Sequence, residues 1–157
     1  MTTPLQIRPL RPDDQAQWRP LWDGDNAFYG RSGATALPEA ITASTWQRFF
    51  DAGEPVCCLV AEQDGRLRGL THDLFHRSMT RIEPVCDLSD LSDLFTDPAH
   101  RGGGGGRALI EGVDAAARAA GSTRVDWQTH TTNAAGRLLY GKVAAHQGFI
   151  VDSKDPA

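Results

Sequence analysis

The chain has no long apolar run. No segment of its 157 residues has the length or continuity of a membrane span, and Met1 to Leu10 lacks the basic-then-apolar pattern of a signal peptide, so the expected compartment is the cytoplasm. Cysteine is scarce as well. Three residues do not make a disulfide framework, and Cys57 and Cys58, adjacent in an apolar stretch, read as small buried thiols. Nor is there an excess of positive charge: 16 Lys+Arg against 20 Asp+Glu give a formal net charge of -4. That balance provides no global attraction to nucleic acid or to an anionic membrane, and neither is an expected partner. His72 and His76 share a strand face but have no thiolate or carboxylate at metal-site spacing, so no metal is expected. The length suits one compact domain with its own core, residues 1–157.

What the chain does have is glycine concentrated in one place. Arg101 is followed by Gly102, Gly103, Gly104, Gly105 and Gly106, and then by Arg107 and the apolar run Ala108-Leu109-Ile110. Glycine lets a ligand approach the backbone, and the first amides of a helix have no intrahelical acceptor. A phosphate or pyrophosphate is the natural guest, with Arg101 and Arg107 to neutralise it. A Walker loop would need lysine and a hydroxyl residue after Gly106, where Arg107 and Ala108 stand instead. A dinucleotide fingerprint would need a βαβ unit around the glycines; Asp126 lies at about the right distance for its acidic residue, but the strands upstream read as antiparallel. A purely structural flexible loop is the remaining alternative.

Periodicity organises the rest into an α+β domain. Gln6 to Leu10 reads as a strand, and Asp14 to Trp22 as a helix that Pro20 shortens or kinks. Asp23 to Pro38 reads as a loop or irregular helix, and Thr42 to Ala52 as a second helix with Trp46, Phe49 and Phe50 on its core side. Val56 to Glu62 and Arg66 to Phe75 form a hairpin about Asp64-Gly65, and Arg81 to Cys86 and Leu91 to Thr96 are further strands. The helix from Arg107 to Ala120 is closed by Gly121. A strand over Thr123 to Gln128, a helix over Asn133 to Ala145 and a last strand over Phe149 to Val151 complete the chain. Leu88-Ser89-Asp90 is repeated at once as Leu91-Ser92-Asp93; an odd shift of a strand pattern requires a bulge or short turn before Leu91.

The run from Asp93 through Leu94, Phe95 and Thr96 to Ile110, with Arg101, Gly104 and Gly106 at its centre, resembles the acetyl-coenzyme A (acetyl-CoA) motif of the GNAT family of N-acetyltransferases. Asn133-Ala134-Ala135, Leu139-Tyr140 and Gly148-Phe149 resemble its second signature, and Ile7 to Asp14 its opening strand and helix start. The nearest likeness is to small, histone-acetylase-like members. The resemblance implies a twisted, mostly antiparallel sheet flanked by helices, whose splayed strands form the acetyl-CoA site, and transfer of the acetyl group to a primary amine with CoA as product. It implies that Arg101, Gly102, Gly103, Gly104, Gly105, Gly106 and Arg107 hold the pyrophosphate and that Leu94, Phe95 and Thr96 pair with the pantetheine arm. Asn133 would bond that arm or anchor its loop, and Tyr140 would bind beside the sulfur and protonate the leaving thiolate. A non-catalytic acyl-CoA-binding regulatory domain on the same fold is the alternative. A homodimer is compatible with the resemblance, with the apolar carboxyl-terminal segment contributing to its interface.

An attacking amine must first lose a proton. Asp93, which the resemblance sets close to the thioester, is the candidate base, with Asp90 and Glu83 as the others. Trp22, Asp23, Asp25, Phe28 and Tyr29 combine aromatic surface with negative charge and form the expected acceptor pocket for a cationic amine.

Overall fold

Strand alternation and helical periodicity produce six strands and four helices in the computed structural model, which describes residues 1–88 and 94–156. β1 (Gln6–Pro9) pairs antiparallel with β2 (Val56–Gln63), which returns as β3 (Arg66–His76) through Asp64 and Gly65. Both turn residues have positive φ, 51° and 71°, as a two-residue hairpin requires if its turn is to follow the strand twist. The two ends of the long β3 then serve different partners. Its carboxyl end pairs antiparallel with β4 (Val85–Leu88), and its amino-terminal half with β5 (Leu94–Thr96). On its other side β4 pairs in parallel with β6 (Val125–Trp127), giving the order β1-β2-β3-β4-β6 with β5 on β3 alone. A parallel pair needs a crossover, and α3 (Gly105–Ala119) lies in it, burying Leu109, Ile110, Val113 and Ala117. The remaining helices are α1 (Gln15–Phe28), α2 (Glu39–Arg48) and α4 (Ala134–Val143).

Alternation along β3 sends successive side chains to two cores. Leu70 joins Trp18, Leu21, Trp22, Val60 and Phe95 under α1, with Trp46 and Phe49 packed alongside. Phe75 instead packs with Cys86, Leu88, Val113 and Ala117 under α3. The two ladders on β3 are out of step. Two residues of β3, His72 and Asp73, separate them, whereas six residues, 88–93, separate Asp87 from Leu94 on the opposing side. Four extra residues therefore enter at the Leu-Ser-Asp repeat, and residues 89–93 of that repeat lie outside the described residues.

Two side-chain expectations change, since Cys57, read as buried, and Phe50, read on the core side, are both exposed, and so do three element expectations. α1 continues past Pro20 to Phe28, because its polar residues Asp25 and Asn26 fall on the buried side, where the Asn26 carboxamide donates to the Trp22 carbonyl at 2.8 Å. β4 begins at Val85 and not at Arg81; the turn before it is held by Arg77, which donates to the Ile82 carbonyl at 2.9 Å. Phe149 to Val151 is not a strand. It finds no ladder partner among the described residues, and its three apolar side chains stay exposed.

Candidate active site

The parallel ladder ends at Leu88 and Trp127, and β5 runs on with no strand beside its outer edge among the described residues. The sheet opens into a gap there. The Asp97 amide donates to the Arg68 carbonyl at 2.8 Å, extending the β3–β5 ladder by one bond. Antiparallel hydrogen bonding alternates, so Phe95, opposite Leu70, spends its backbone groups on β3, while Leu94 and Thr96 direct theirs into the gap. The Thr96 carbonyl already accepts from Arg101 Nε at 3.1 Å, and the same guanidinium lies 5.6 Å from the Phe95 ring centre. Of the three residues expected to pair with an extended ligand, Leu94 and Thr96 direct backbone groups into the gap and Phe95 does not. Phe95 supplies the hydrophobic floor.

The chain turns from this edge into the glycine run. Asp97 caps the turn, accepting from the Ala99 amide at 3.1 Å, with His100 Nδ1 3.0 Å from its other oxygen; the amide first and His100 second hold its carboxyl below the usual range. Gly102 and Gly104 then take φ of 82° and 83°, conformations that favour glycine. The first intrahelical bond of α3 runs from the Ala108 amide to the Gly104 carbonyl, so Gly105, Gly106 and Arg107 have no acceptor within the helix. A glycine turn with left-handed residues, leading into a fifteen-residue helix, has the form of an anion cradle. Gly106 has a second use: a side chain there would meet Leu139 of α4 at 3.2 Å, so its absence lets α4 approach the first turn of α3.

Asn133 caps α4. Its Oδ1 accepts from the Gly136 amide at 3.1 Å and its Nδ2 donates to Thr129 at 2.9 Å. That cap explains Gly136, because a Cβ at this position would collide with the Asn133 carboxamide. Two turns along the helix, Tyr140 is half-buried with its ring 5.5 Å from Trp127. Burial pushes its phenol up to about 12, and the nearby Tyr29 and Asp25 charges add to the effect. It remains a protonated donor throughout the neutral range.

On the α1 side the expected acceptor residues separate. Trp22 belongs to the core, stacked on Trp18 at 5.5 Å, with its indole N–H donated to Thr42. Asp23 is exposed and held by Arg19, which also binds Glu39. Phe28 is half exposed and meets Tyr29 edge to face at 4.9 Å. Asp25 is the buried carboxylate, 2% exposed. The sequence carried a signal for it: Trp18, Leu21, Trp22, Asp25 and Tyr29 follow one helical stripe. Glu83 is exposed in the turn before β4, while the candidate bases Asp90 and Asp93 lie outside the described residues. His72 joins the aromatic core, its Nε2 accepting from the Trp18 indole at 3.2 Å. No helix among the described residues is long and apolar enough to cross a membrane.

Residues 18–145 match the model of the acetyltransferase (GNAT) family. No curated protein matches the chain. Among solved structures it is similar to AAC(6')-Iy in complex with the bisubstrate analogue CoA-S-monomethyl-acetylneamine, at 16% identity and a TM-score of 0.80, with 99% of this chain and 100% of that one covered. It is also similar to an aminoglycoside acetyltransferase, HMB0005, from an uncultured soil metagenomic sample, at 18% identity and a TM-score of 0.79 over 99% and 100% of the two chains. A ribosomal-protein-alanine N-acetyltransferase from Brucella melitensis biovar Abortus 2308 gives 18% identity and a TM-score of 0.75 over 97% and 99%. At these identities the likeness establishes the fold.

Proposed function

The chain belongs to the acetyltransferase (GNAT) family, whose activity is acetyl-CoA-dependent acetyl transfer, and on that premise we propose that it acetylates a primary amine by direct attack on the thioester. The observation that carries the reading is the continuity of the open β5 edge with the glycine cradle. Leu94 and Thr96 offer backbone groups along one line, and that line runs into the free amides of Gly105, Gly106 and Arg107. These donors suit a long ligand with amides along its arm and a pyrophosphate at its end.

Bound there, acetyl-CoA supplies an activated acetyl group. The residues of the chain do the rest. The Leu94 amide, at the start of β5, polarises the reacting carbonyl, and Phe95 keeps water from the strand's inner side. As the neutral amine nitrogen bonds to the acetyl carbon and the C–S bond breaks, Tyr140 gives its Oη proton to the departing sulfur; the nitrogen releases its surplus proton to water, and Oη regains one from solvent. The amine enters from the α1 side, past Phe28 and Tyr29.

Calorimetric titration with acetyl-CoA, followed by a thiol-release screen over an amine panel, tests the proposal. Saturable binding with amine-dependent thiol release is the expected result. Binding without release from any amine favours a regulatory acyl-CoA-binding domain, and absence of binding overturns the reading of the cradle.

A further inference from the structure

We propose that the cavity between α1 and the start of β3 binds an organic oxyanion other than the acetyl donor, with Arg68 at its charged head and Phe95 against its apolar body. The inference goes beyond the acetyltransfer reading and does not rest on it. The cavity has a volume of about 620 Å³ and lies where the β3–β5 ladder ends, with Arg66, Arg68, Phe95 and Arg101 among its lining residues. A volume of this order takes a small organic molecule. Local contacts fix its walls. Gln17 ties α1 to the hairpin, accepting from the Leu67 amide at 3.1 Å and donating to the Gly65 carbonyl at 3.3 Å. Two turns along the helix, Gly24 lets α1 approach β5, since a Cβ there would come within 2.8 Å of the Phe95 ring. Phe28, half exposed, stands one turn further at the rim.

Charge gives the cavity its chemistry. In a chain of net charge -4, its described lining residues include three arginines and a single acid, Asp97. That acid is already spent, accepting from the Ala99 amide and held by His100. Arg68 has no side-chain hydrogen bond or ion pair among the described residues, and its Nε is buried without an acceptor. A cationic donor left unpaired away from water is costly, and an oxyanion beside it removes that cost. Arg101 is fixed at Nε by the Thr96 carbonyl, which leaves its two terminal nitrogens without a partner among the described residues. Leu21, Leu67 and Phe95, all buried, line the same cavity with apolar surface. Inorganic phosphate would leave that surface unmatched, whereas an apolar body with one carboxylate or phosphate head uses both. The glycine run is a different place. Strand alternation sends Phe95 and Thr96 to opposite faces, and it is the Thr96 side chain that a Cβ at Gly105 would meet, at 3.6 Å.

The test is calorimetric titration of 4-phenylbutyrate into the full chain, with uncharged 4-phenylbutyramide as the control ligand. The carboxylate is expected to bind saturably and at least tenfold tighter than the amide. That affinity falls at least tenfold in Arg68→Gln and stays within twofold of wild type in Arg118→Gln, a change at the exposed end of α3. No saturable binding of the carboxylate, equal affinity for the amide, or an Arg68→Gln affinity within twofold of wild type each overturns the assignment. If Arg68→Gln does not fold, Arg68→Lys and Arg68→Met decide: a Met variant tenfold weaker than Lys supports the site, and equal affinities overturn it. Repeating the titration with CoA or 3′-dephospho-CoA already bound separates the sources of the anion. Affinity within twofold under both conditions supports a separate organic acid. Loss with CoA alone hands the cavity to the cofactor's own 3′-phosphate, and loss with both puts the probe in the cofactor's cleft; either overturns the proposal. Failure of CoA itself to bind sinks the acetyltransfer reading alone, because the first titration needs no cofactor.

Discussion

The two faces of β3 are built to different standards. Under α1 and α2 the core is aromatic and closely fitted, with Trp18 in ring contact with Trp22, Trp46 and Phe49, and 1% exposed. Under α3 the cluster is made of smaller residues, Cys86, Val113 and Ala117 among them, and α4 buries no residue fully. The first face fixes the strand to which β5 is attached. The second carries the glycine run and Tyr140, the parts that on the proposed function admit and release a ligand. Regions of sparse burial open at low cost, so the division assigns stability to one face and access to the other.

Trp18→Ala should expose the contrast most strongly. Removing an indole at the centre of the aromatic cluster is expected to cost about 3–5 kcal/mol, read as a lower urea midpoint, whereas Leu138→Ala on exposed α4 should cost less than about 0.5 kcal/mol. Equal losses would mean that α4 is part of the stabilising core. Asp73 tests the looser face in the opposite direction. It is buried beside Cys86, and burial pushes its carboxyl up to about 6, against a smaller lowering by His72 and by the Cys86 thiol 3.9 Å away. Between about pH 4 and 6 the folded protein keeps a proton that the unfolded chain has lost, so stability falls as pH rises through that window and the loss is complete above it. The cost amounts to about 3 kcal/mol at pH 7. Asp73→Asn should abolish this pH dependence and gain on wild type by that margin between pH 4 and 7; parallel stability curves for the two proteins would refute it.

A smaller effect falls on the rate. Tyr140→Phe keeps the ring against Trp127 and removes the proton donor, so kcat should fall about 10- to 100-fold, equivalent to about 1.4–2.7 kcal/mol of barrier, with acetyl-CoA affinity changed less than threefold. A loss confined to affinity would reassign the hydroxyl to ligand binding.

Most of the sheet was legible because hairpins and amphipathic helices are local patterns. The Asp64-Gly65 turn and the α3 stripe announce themselves within a dozen residues. What was hidden depended on partners. Gly24, Asp25 and Asn26 read as a loop or irregular helix, yet regular α1 passes through them because Phe95 fills the space above Gly24 and Asn26 satisfies itself against Trp22. Phe149 to Val151 has the composition of a strand, but composition supplies no neighbour for an edge. The glycine run marked where an anion is expected, while the choice of Asp25 over Asp23 as the buried carboxylate required the packing of α1 on β5. Helical spacing contained that choice, though only once the helix was known to continue.

The glycines offer the finest comparison, since one kind of strain occurs at two places with different duties. Gly104 and Gly121 have φ of 83° and 79°, and a Cβ at either would meet nothing within 4 Å. Alanine therefore imposes the same left-handed penalty at both, about 1–2 kcal/mol, without a clash at either. Gly121 closes α3 at its carboxyl end; Gly104 begins it beside the free amides. Equal losses of stability should accordingly accompany unequal losses of ligand: acetyl-CoA binding at least tenfold weaker in Gly104→Ala and within twofold of wild type in Gly121→Ala, measured by calorimetry. Because the folding cost cancels between the two variants, any difference in affinity reports the direction of the amides at Gly105, Gly106 and Arg107. If the two bind acetyl-CoA equally, the glycine run serves the chain's path and not its ligand.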